Sequence, residues 1–96
     1  MTQQERQDLE NKLAIYQRQK VKMESHIDRY DNLIEELQTQ HEQNPRDEAI
    51  VEDLQDAITK RQAKIVEYER TLQIIVGINW LLESWEQKNT KTHHRR

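Results

Sequence analysis

The side chains that most often carry chemistry are few in this sequence, and their spacing is poor for it. There is no cysteine. That removes thiolate nucleophiles, thiolate metal sites and disulfide bridges together. The two serines, Ser25 and Ser84, have no His or Asp companion at any spacing known for nucleophile activation. His26 and His41 belong to no His-x-x-x-His pair and no Glu-x-x-His pair, the spacings that would place two metal ligands on one helical face. His93 and His94 sit together among basic residues close to the end of the sequence. Glu24, Asp28, Asp31 and Glu35 form an acidic row with a helical repeat, which reads as a solvated face. No Gly-rich phosphate loop is present. The expectation is therefore a non-enzymatic protein with no cofactor and no metal ion.

The elements that would hold these residues follow from composition. In 96 residues there is one Gly and one Pro, while 34% of the residues are charged and 33% are hydrophobic. A sheet needs turns, and turns need Gly, Pro and Asn. One turn signal stands out, Gln43-Asn44-Pro45-Arg46-Asp47. The residue before Pro avoids the α region, so a first helix ends near it. Asn is a strong N-cap and Pro suits the first helical position, so Asn44 is read as the cap of a second helix. The predicted organisation is all-α: helix 1 over about 4–42, a turn at 43–44, helix 2 over about 45–87, and a flexible basic tail over 88–96.

Apolar residues recur at alternating spacings of four and three on both sides of the break. Helix 1 has Leu9, Leu13, Tyr16, Lys20, Met23, Ile27, Tyr30, Ile34 and Leu37. Helix 2 has Val51, Leu54, Ile58, Arg61, Ile65, Tyr68, Leu72, Ile75, Asn79 and Leu82. These are heptad a and d sites. Sixteen of the 19 are apolar or Tyr, against about six for random placement, so the pattern is a coiled-coil seam. Folding back at residue 44 pairs each a site with a d site, for example Leu37 with Val51 and Arg61 with Ile27. The expected fold is an antiparallel two-helix coiled-coil hairpin. Lys20 and Arg61 would bury their stems on the seam and turn their charges outward. Asn79 would help fix register.

The remaining apolar residues carry the functional expectation. Residues 74–85 hold Ile74, Val76, Ile78, Trp80, Leu81 and Trp85 off the seam, so the end of helix 2 is apolar nearly all round. Gly77 takes the outward f position, where a small residue lets another helix approach closely. Both Trp residues lie here, and Trp is enriched at binding hot spots. The expected partner-binding residues are Ile74, Gly77, Ile78, Trp80, Leu81 and Trp85. A second strip, Leu33, Ile50 and Ala57 with Ile78 and Trp85, lies on the g flank and would let two hairpins join edge to edge as a homodimeric four-helix bundle. The expected function is a protein–protein interaction module, a small adaptor, regulator or assembly component, meeting its own copy or a different protein.

Charge distribution supplies the competing expectation. The formal net charge is −3, yet the last ten residues carry Lys88, Lys91, Arg95 and Arg96 and no acid. These four residues are the candidate nucleic-acid contacts of a small dimeric regulator. The acidic body opposes that role, because phosphate binding comes from neutralising charge. The start of the sequence is polar, with no signal-peptide pattern, and the longest apolar stretch, Leu72 to Trp85, is too short and too polar to span a bilayer. Membrane contact is not expected, and the cytoplasm is the expected location.

Overall fold

The computed structural model describes residues 2–94, with side chains through Lys88. It contains two helices, α1 (Gln3–Gln43) and α2 (Glu48–His94), which pack against each other as a hairpin. No Gly or Pro interrupts α1, and Gly77 is the one such residue in α2. The start of α1 carries a capping box. The Glu5 N–H donates to Thr2 Oγ1 at 3.1 Å, and the Thr2 N–H donates back to the Glu5 carboxylate at 3.5 Å.

The connection differs from the sequence expectation. The Asn44 N–H donates to the Gln40 carbonyl at 2.9 Å, closing α1. The Asp47 N–H then donates back to the Asn44 carbonyl at 3.1 Å. Asn at the first position and Pro at the second are what a type I turn favours. Asp47, not Asn44, caps α2: its Oδ1 accepts from the Ala49 N–H at 3.0 Å, and its carbonyl accepts from the Val51 N–H at 3.4 Å. The turn thus occupies residues 44–47, and α2 begins at Glu48 instead of 45. At its other end α2 runs through His94, well past the expected stop at 87. Nothing between Glu86 and His94 breaks a helix, and basic residues suit a helix C-terminus. The segment expected as a tail, 88–96, thus overlaps the end of α2, and Arg95 and Arg96 lie outside the described residues.

The longer turn changes the register. The chain forms two compact units, Val21–Glu69 and Met1–Lys20 with Arg70–Arg96. In the first, the Arg61 Nε donates to Asp31, and the Tyr68 hydroxyl donates to Glu24 at 2.8 Å. In the second, Arg6 meets Glu86 at 2.9 Å. The numbers of each pair sum to 92, where folding at residue 44 would give 88. That is a shift of four residues, about one helical turn, relative to folding at residue 44.

Burial on α2 also departs from the predicted seam. All nine predicted seam residues of α1 are buried or half-buried. On α2 the covered stripe is centred on d and g. Ala57, Thr71 and Ile78 at g are buried, as is Ile75 at d. Ile58 and Asn79, predicted on the seam, are exposed, Ile58 at 49%. The g-flank strip expected to join two hairpins is thus largely the inner face of α2: Ala57 and Ile78 are buried, Ile50 and Trp85 half-buried, and Leu33 is the exposed member.

Candidate interaction face at the end of helix 2

The six residues expected to bind a partner separate into two sets. Ile78 is 7% exposed and packs within the hairpin. Trp85 is half-buried beneath the Arg6 guanidinium, which lies 4.8 Å from the ring centroid. Arg6 also pairs with Glu86 at 2.9 Å and lies 3.3 Å from the Glu10 carboxylate. A guanidinium over an indole face is a favourable cation–π arrangement. These two side chains therefore close the hairpin near its chain ends.

The other set faces outward. Trp80 is 64% exposed and Leu81 44% exposed, with Ile74 half-buried beside them. A methyl group added at Gly77 would meet no atom within 4 Å. The hairpin itself thus has no need of Gly there, although Gly costs about 1 kcal/mol relative to Ala inside a helix. Val76 adds apolar surface at 66% exposure, one position before Gly77. From Thr71 to Leu82 the sequence has no charged residue. Gly77 and Ser84 at f and Gln73 and Trp80 at b lie on the side of α2 away from the d/g stripe, and Ile74 and Leu81 at c border the stripe next to g. This is a surface on which an apolar helix could lie without desolvating a charge.

The polar seam residues have local uses. Arg61 is paired with Asp31. Glu24 accepts from Tyr68, and this hydrogen bond, with desolvation next, pushes the Tyr68 hydroxyl above its ordinary value of 10.0. Lys60 is likewise raised above 10.5, first by its hydrogen bond to Asp56, at 2.9 Å, and then by that carboxylate's charge. Two of the four residues in the acidic row, Glu24 and Asp31, thus engage α2. A shallow depression of about 290 Å³ beside Ala57 is lined by Tyr30, Leu33, Asp56 and Lys60. The small side chain at a seam position accounts for it.

Of the candidate nucleic-acid residues, Lys88 is exposed on α2, Lys91 lies on α2 beyond the described side chains, and Arg95 and Arg96 fall outside the described residues. Among the described residues, no group of three or more His, Asp or Glu comes together to hold a metal. No described helix is long and apolar enough to cross a membrane. No family model matches the chain, and no curated protein or solved structure matches it either.

Two features of this region were missed by periodicity alone. Arg6 lies three residues before Leu9, at the a position that extends the seam toward the start of α1. Its spacing to Leu9 and Leu13 continues the repeat and could have revealed it. Thr2-Gln3-Gln4-Glu5 is a capping-box pattern and was equally readable.

Proposed function

We propose that this protein is a non-enzymatic interaction module, a helical adaptor, regulator or assembly component, that acts through the outward face of α2 around Gly77, Trp80 and Leu81. One observation carries the reading: a Trp 64% exposed within an uncharged helical stretch. Exposed apolar patches of this kind mark interaction surfaces, and Trp contributes strongly at their centres. Ile74 and Val76 widen the patch, while Ile78 and Trp85 support it from within. Docking of two hairpins on this face makes a four-helix bundle, the homodimeric form of the same reading. Trp80→Glu tests it. Self-association and retention of other proteins by the immobilised chain should both be compared with the parent. Loss of either supports the module. If both are unchanged, the face is not an interaction surface.

Continuation of α2 through His94 favours a second reading, nucleic-acid binding by Lys88, Lys91, Arg95 and Arg96. A helix carrying a basic run can track a phosphate backbone. A gel shift at low salt with the full chain and with residues 87–96 removed decides it, since no shift of the full chain ends the idea.

A further inference from the structure

We infer that the outward face of α2 takes a second copy of this chain, running antiparallel, with the two-fold axis passing at Gly77. This rests on the interaction-module reading and names its partner.

Three observations point to it. The first is area. The chain exposes 7797 Å². A compact monomer of 11.7 kDa exposes about 5,900 Å². This extra exposure leaves room for the roughly 1,000–2,500 Å² that an obligate dimer covers on each chain. The buried apolar core is correspondingly small: Leu37, Ala57, Ile75 and Ile78 among the described residues.

The second is the glycine. Gly77 faces open space, so the hairpin gives no reason for it. On the axis of a helix pair, a residue without Cβ lets the two backbones approach closely. Around Gly77 the same operation sets Trp80 of each copy beside Ile74 of the other, and Leu81 beside Gln73.

The third is charge. An antiparallel pair crossing at Gly77 lays the turn of Arg70 against the turn of Glu83 and Ser84 in the second copy, twice by symmetry. A parallel pair would set Arg70 against Arg70 and Glu83 against Glu83. Like charges brought together at an interface select against that arrangement. Between these ends, from Thr71 to Leu82, no charge has to be buried.

The absence of native cysteine makes the test direct. In the full chain, Gly77→Cys places two thiols at the two-fold axis, and Ser84→Cys places them well away from it. Circular dichroism checks that each variant keeps its helices. Under mild oxidation in dilute solution, Gly77→Cys is expected to form cross-linked pairs, with Ser84→Cys about tenfold less. Arg70→Glu is expected to weaken dimerisation about tenfold, and adding Glu83→Arg to restore it. Equal cross-linking at 77 and 84 overturns the antiparallel arrangement. A chain that stays single at high micromolar concentration, with Gly77→Cys no more cross-linked than Ser84→Cys, overturns the second copy altogether. In that last case, retention of another protein that depends on Trp80 leaves the module reading standing alone; its absence removes both.

Discussion

Trp80 and Trp85 are five positions apart on one helix and do different work. Trp85 is held under Arg6, and Arg6 in turn is held by Glu86. Trp85→Ala removes half-buried aromatic surface and a cation–π contact together. It should lower the unfolding free energy by about 1–3 kcal/mol, measured by urea denaturation. Tyr68 offers a second test at this scale. Its neutral hydroxyl donates to Glu24, and the tyrosinate could not. A pKa raised in the folded chain means the contribution is fully present below the unfolded value near 10.0 and is lost as pH rises through the folded value. Lys60 has the same sign, starting from 10.5. Stability should therefore fall on the alkaline side of pH 10, and Tyr68→Phe should flatten that limb. An unchanged alkaline limb in Tyr68→Phe would show that the Glu24 hydrogen bond contributes nothing.

At the scale of elements, the turn decides which residues form the core. Asp47→Ala deletes the side chain that caps α2 and should cost about 1 kcal/mol, whereas Asn44→Ala should cost less. The register makes a sharper prediction. Ala57 is 3% exposed and Ile58 is 49% exposed. Ala57→Leu should destabilise by about 1–3 kcal/mol through overpacking. Ile58→Ala should cost under about 1 kcal/mol despite the larger deletion. The reverse ranking in urea titrations would place the seam of α2 back on its a sites. Both helices, the single break and the whole seam of α1 were legible, because a four-three repeat uninterrupted by Gly or Pro has one structural meaning. The seam of α2 was legible only in part. Its a, d and g sites are all largely apolar or small, so the stripe is wider than one seam and the pattern alone does not choose its centre. The turn at residues 44–47 makes the choice. Asn44-Pro45 suits both a helix start and a type I turn, and Asp47 is an equally good cap three residues later. Within the candidate face, the exposed residues Gly77, Trp80 and Leu81 and the more buried Ile78 and Trp85 are not told apart by the pattern. An all-round apolar segment announces that something covers it, and only the register says which side the hairpin itself has taken.

At the scale of the whole molecule, the two helices cover one stripe of each other and leave a Trp-bearing, uncharged face of α2 uncovered. A chain with so small a buried core gains from covering that face, because any association confined to the folded state adds to stability by mass action. Midpoints of thermal unfolding should consequently rise with protein concentration in the parent chain and be flat in Trp80→Glu. The most direct test is absolute mass by light scattering over a wide concentration range, for the parent and for Trp80→Glu side by side. The parent should weigh twice its 11.7 kDa chain mass at low micromolar concentration, with the variant falling to the single chain. A parent and a variant with the same mass at every concentration would contradict an association surface for like copies on the outward face of α2.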